Sequence, residues 1–132
     1  MTKLTSLLHR TASYSSVSWH SSDALPGVRF AIRRVSLRQR IELNHRVREL
    51  TIEHEFLKVG DVENQLQAAL SELLAMRLYL EWGLAEIEGL HIDSQLATVA
   101  TLIEKGPEAL AIEIAKVIQA ESSLTEEERK NS

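Results

Sequence analysis

Residues 36–60, SLRQRIELNHRVRELTIEHEFLKVG, and residues 61–81, DVENQLQAALSELLAMRLYLE, decide the fold. Ser36 is a favoured N-cap type, because its hydroxyl can accept from the free N–H groups of a first helical turn. Nothing after Leu37 breaks a helix until Gly60, a residue suited to closing one. Leu43, Val47, Leu50 and Leu57 recur at helical spacing and form one apolar stripe. Ile41 and Ile52 lie on roughly the opposite side, and Phe56 is also off the stripe. A helix that is apolar on two sides is normally covered on two sides. Asp61 can then cap a second helix, from Val62 to about Glu81, with Leu66, Leu70, Leu73 and Leu80 as its stripe and Ala69 and Met76 beside them. So short a link makes the helices antiparallel neighbours, and the pattern predicts a helical hairpin, 37–59 with 62–81.

Working toward the N-terminus, Leu25-Pro26-Gly27 is a turn signal. Val28, Phe30 and Ile32 then alternate with Arg29, Ala31 and Arg33, which predicts a half-buried strand over 28–33 with a basic outer face. Residues 1–22 hold ten Ser and Thr with little periodicity. Residues 1–24 are therefore expected to form a flexible arm or an extended start, with Tyr14 and Trp19 as its aromatic residues. Residues 25–132 are expected to form a single domain.

Beyond the hairpin the texture changes at Trp82-Gly83. Leu84, Ile87, Leu90 and Ile92 are interleaved with glycine and acids, predicting one or two short strands within 83–92 and a hairpin turning near Glu88-Gly89. Asp93-Ser94-Gln95 reads as a turn. Thr98 can cap a short helix containing Val99, Leu102 and Ile103. Gly106-Pro107 reads as a helix stop followed by a helix start, with glycine at C′. Leu110, Ile114, Val117 and Ile118 share a face of the next helix, and Thr125 to Glu128 has capping-box spacing. The expected class is α+β, mainly α: a helical hairpin, a small β-sheet or hairpin, and short C-terminal helices.

Charge divides the chain. Seven arginines fall within residues 28–48: Arg29, Arg33, Arg34, Arg38, Arg40, Arg46 and Arg48. Up to Arg48, nine Lys and Arg oppose only Asp23 and Glu42, a net of +7. From Glu49 onward six oppose seventeen, a net of −11, so the total of −4 conceals a two-signed molecule. Such asymmetry points to a charged partner or to a neighbouring copy. Arginine forks suit phosphate, but the chain is acidic overall and only Phe30 sits among the arginines to stack a base. Nucleic acid is therefore not the expected partner.

Catalytic and metal signatures are absent from the sequence. There is no cysteine, hence no disulfide, thiolate site or cysteine nucleophile. His45 and His54 are nine residues apart, about 180° around a helix, and cannot share a metal. The carboxylates Glu81, Glu86, Glu88, Asp93, Glu104, Glu108 and Glu113 read as solvated charge rather than acid–base pairs. Neither a P-loop, a nucleophile elbow nor a dinucleotide fingerprint occurs. No cofactor and no enzymatic activity are expected. No run approaches the roughly 20 apolar residues of a membrane span. Leu4, Leu7 and Leu8 are split by Thr5 and Ser6, unlike a secretory signal. A cytoplasmic location is expected.

Several stretches resemble one family. Leu25-Pro26-Gly27-Val28-Arg29-Phe30 and Arg33-Arg34-Val35-Ser36 resemble the opening of phage tail assembly chaperones. Tyr79-Leu80-Glu81-Trp82-Gly83-Leu84, Gly89-Leu90-His91-Ile92-Asp93, Ala97-Thr98 and Leu102-Ile103 are similar to their later half. Residues 104–110 and 124–131 resemble the closing helix and tail, so the likeness spans about residues 25–131, with the Ser-rich leader as a departure. The resemblance implies a non-catalytic helper, in a bacterial host cell, that binds the tape measure protein during tail assembly and self-associates. On that reading Ile41, Ile52 and Phe56, rimmed by Arg38 and Arg48, are the expected partner contacts. The competing expectation is that these three apolar residues pack beneath the strands. A structural subunit of a tail or tail-like particle is the alternative function, and a nucleic-acid-binding regulator the third.

Overall fold

A computed structural model describes residues 11–55 and 62–122. Its elements are β1 (Val17–Ser21), β2 (Arg29–Arg33), α1 (Leu37–Glu55), α2 (Val62–Gly83), β3 (Leu84–Glu88), β4 (His91–Ile92), β5 (Gln95–Leu96), α3 (Val99–Lys105) and α4 (Glu108–Ser122). The class is α+β, mainly α, with four helices, a three-stranded antiparallel sheet ordered β1-β2-β3 and a two-stranded ribbon β4-β5 among the described residues. The closing turn expected at Gly60-Asp61, the stripe residue Leu57 and the Thr125–Glu128 turn lie outside the described residues.

Ser36 starts α1 as expected. Gln39 N–H donates to Ser36 Oγ at 3.2 Å while Ser36 N–H donates to the Gln39 side chain at 3.2 Å, a reciprocal capping box. Thr98 and Thr101 make the same arrangement at the start of α3. Gly106 ends α3 differently from expectation. It is extended, at φ −76°, not left-handed, and glycine is required there because a Cβ would stand 2.6 Å from the Leu102 carbonyl oxygen.

Val17–Ser21 corrects the expectation of an arm reaching to residue 24. These residues pair with β2 in register, Trp19 opposite Ala31 and His20 opposite Phe30. Polar composition hid the strand because β1 is an edge strand, buried only on one side. On β2 the alternation is incomplete: Phe30 and Ile32 are buried as expected, but so is Ala31. Its small side chain lies between Trp19 on β1 and Glu86 on β3, which cover it.

The strands after α2 also differ from expectation. β3 pairs with β2, with a register shift between Ala31 and Ile32, and does not form a hairpin with the residues after Gly89. That hairpin is β4-β5, turning at Asp93 and Ser94, whose φ angles of 51° and 68° are both in the left-handed region.

The core lies between the inner sheet face and the helices. Phe30, Ile32 and Leu84 pack with Leu80 of α2, Leu102 of α3 and Leu110, Ile114 and Ile118 of α4, while Leu43 reaches in from α1. Each such side chain contributes about 1.5–3 kcal/mol by leaving water. Gly83, where α2 meets β3, has no room for a side chain: a Cβ would lie 2.6 Å from Ile118 Cγ2.

Candidate partner-binding surface

The hairpin helices meet through small residues. Val47 and Thr51 of α1 face Ala68, Ser71, Ala75 and Tyr79 of α2 across a groove of ≈ 300 Å³. Ala68, Ser71 and Tyr79 are buried, and Ser71 Oγ–H donates to the Leu50 carbonyl at 3.5 Å. Short side chains let the backbones approach, so α2 turns this face toward α1. Its bulkier leucines consequently point the other way. Leu66, Leu70 and Leu73 are 65%, 46% and 51% exposed, and Leu74 beside them is exposed too. The expected stripe of α2 is thereby corrected: of Leu66, Leu70, Leu73 and Leu80, only Leu80 is buried. Helical periodicity identifies an apolar face without saying which face meets the core. The Ala68-Ser71-Ala75 spacing was the signal that α1 packs on the other side.

The expected contacts on α1 are at the surface. Ile41 is 63% and Ile52 48% exposed, which rules out packing beneath the strands. Arg38 and Arg48 are exposed, and Leu37 extends the same face. Arg38 reaches Glu42 at 3.5 Å along the helix, a surface pair of small net value. Phe56 lies outside the described residues.

Much of the arginine cluster serves the fold. The Arg29 guanidinium lies 4.9 Å from the Trp19 ring centre and bonds Glu88 at 3.2 Å. Arg34 lies over Tyr14 and Arg46 over Trp82, at 5.8 and 5.3 Å. Arg40 Nε–H and Asn44 Nδ2–H donate to the Ser122 carbonyl at 3.3 and 2.6 Å, satisfying an acceptor at the end of α4. These contacts spread the arginines over several faces rather than one phosphate track.

Glu113 of α4 fastens the β1–β2 connection. Ser22 Oγ–H donates to Oε1 at 2.6 Å, and the Asp23 and Ala24 N–H groups donate to Oε2 at 2.6 and 3.4 Å. Partial burial pushes its pKa up, but the bonds from Ser22, Asp23 and Ala24 outweigh this and hold the carboxyl below its usual range. Nearby, Ser18 Oγ lies 3.1 Å and Glu121 Oε1 3.9 Å from His20 Nε2. A nucleophile relay needs its acid on the other ring nitrogen, so this trio does not form one. No group of acids and histidines among the described residues is placed to hold a metal ion, and no described helix is long and apolar enough to cross a membrane.

The surface that remains is apolar, helical and two-sided. No protein-family model, curated protein or solved structure matches this chain.

Proposed function

We propose that this chain is a non-catalytic phage tail assembly chaperone that holds a tape measure protein soluble in the host cytoplasm while the tail is built. The observation carrying this reading is the exposed apolar surface of the hairpin: Leu66, Leu70, Leu73 and Leu74 on α2, with Ile41 and Ile52 on α1. Contiguous exposed leucines on one helix mark a binding face. A face with this spacing suits a helical client whose own apolar residues recur every three to four positions. The family resemblance of residues 25–131 supplies the identity of that client.

Co-expression with the tape measure protein tests the proposal. The client should be soluble and co-purify with the wild-type chain, and Leu70→Asp/Leu73→Asp should abolish both effects while leaving the chaperone folded. Equal client solubility without this protein, and no complex, refutes it. Mass spectrometry of finished particles separates the alternative, because a chaperone leaves the tail and a structural subunit remains.

A further inference from the structure

The outer edge of β1 offers main-chain hydrogen bonds that nothing among the described residues takes up. Ser22 N–H donates to the Val28 carbonyl at 2.8 Å and Arg34 N–H to the Ser16 carbonyl at 2.7 Å. Main-chain bonds across an antiparallel pair recur at every second residue, so Ser18 and His20 face β2. Val17, Trp19 and Ser21 turn their N–H and C=O groups the other way. Ser15 covers the first of these: its hydroxyl donates to the Val17 carbonyl at 3.0 Å and accepts from Val17 N–H at 3.4 Å. Trp19 and Ser21 have no such cover, and no strand lies beyond β1 among the described residues. A free edge is usually guarded by a lysine, a proline or a bulge. β1 carries neither residue, and the register shift of the sheet lies between β2 and β3.

On the face of the sheet that carries His20, a groove of ≈ 570 Å³ runs between β1 and α4. His20, Ser21 and Asp23 form one wall, Ile112, Lys116 and Val117 the other, and Phe30 the floor. The His20 ring stacks on Phe30 with centres 5.5 Å apart, and Ile112 and Val117 are half-buried, so the bottom of the groove is apolar. Its rim is net acidic: Asp23, Glu113 and, beside His20, Glu121 oppose Lys116. Arg29 and Arg33 alternate with Phe30 and Ile32 and lie on the other face, where Trp19 and Glu88 hold Arg29.

We propose that an extended segment of another protein docks here as a further strand on β1. Its backbone bonds the free groups of Trp19 and Ser21, about 7 Å apart, and every second side chain enters the groove. An α-helix cannot serve, because its own backbone groups are already bonded along its axis. The side chains that fit over Phe30, Ile112 and Val117 are aliphatic, and the acidic rim favours a neutral or basic segment. None of the hairpin leucines takes part, so the site is separate from the helical face proposed for the client and does not rest on that reading.

The probe is a capped peptide of alternating valine and threonine with a lysine at each end, titrated to about 2 mM into the ¹⁵N-labelled full chain. The Trp19 and Ser21 amides should shift and their hydrogen exchange should slow as the probe binds. Only probe amides that face β1 matter. N-methylating one alternate set should therefore weaken binding about tenfold or more, and N-methylating the other set should be tolerated. Ser21→Pro removes an outward N–H without taking a bond from β2, a place where an edge strand accepts proline, and should weaken binding about tenfold. Circular dichroism checks its fold; should the variant unfold, the methylated probes carry the test on the wild-type chain. Unchanged Trp19 and Ser21 amides at the highest probe concentration overturn the proposal, as does a probe indifferent to both methylations. So do shifts confined to Leu66, Leu70 and Leu73. Protection of Trp19 and Ser21 without probe also overturns it: at low concentration the chain covers its own edge, and if it grows with concentration a second copy does.

Discussion

Replacing Glu113 by alanine removes the acceptor that fastens the β1–β2 connection to α4. Two of its bonds are short, from Ser22 Oγ and Asp23 N at 2.6 Å, and the third, from Ala24 N at 3.4 Å, is weak by its length. A hydrogen bond to a charged group contributes about 1.5–3 kcal/mol. Glu113 is only half-buried, so water replaces part of what is lost at Asp23 and Ala24. Ser22 is buried, and its hydroxyl loses its acceptor while still accepting from Leu25 N–H at 3.0 Å. Counting one bond nearly in full and the other steeply discounted gives about 2 kcal/mol. For a domain of this size that lowers Tm by about 6–8 °C. The pH dependence has a fixed sign. The native carboxyl titrates below its unfolded value, so its contribution is full above the ordinary carboxylate range and is lost as pH falls through the lowered native pKa. Thermal melts of both proteins from pH 7 to pH 3 should show the gap closing with acid. An alanine variant that melts with the wild type at pH 7, or a gap that widens on acidification, refutes the reasoning.

Two further predictions concern the fold. Gly83→Ala drives a Cβ to 2.6 Å from Ile118 Cγ2 in the core and should cost about 1–3 kcal/mol in urea unfolding; adding Ile118→Ala removes the clash, and the two changes should be clearly non-additive. Asn44→Ala takes away the 2.6 Å donor to the Ser122 carbonyl and should cost about 1 kcal/mol, with faster amide exchange in the last turn of α4 as the local readout.

What the sequence determined by itself was whatever local chemistry decides. Ser36 and Thr98 start their helices because a cap needs only a hydroxyl three residues before a free N–H. The hairpin helices and the buried alternation of Phe30 and Ile32 follow from apolar period alone. The exposed candidates Ile41 and Ile52 were legible because they sit opposite Leu43 on one helix. Tertiary structure decided what depends on neighbours distant in sequence. Val17–Ser21 becomes a strand because β2 offers an edge to pair with, not because its own Ser-rich composition demands one. β3 joins β2 rather than β4 for the same reason. On α2, leucines stand on one side and small residues on another, and both patterns are helical. Only the approach of α1 onto Ala68 and Ser71 settled that the leucines Leu66, Leu70 and Leu73 face outward. Close packing favours the side where two backbones can come nearest, and that choice leaves the larger apolar side chains exposed.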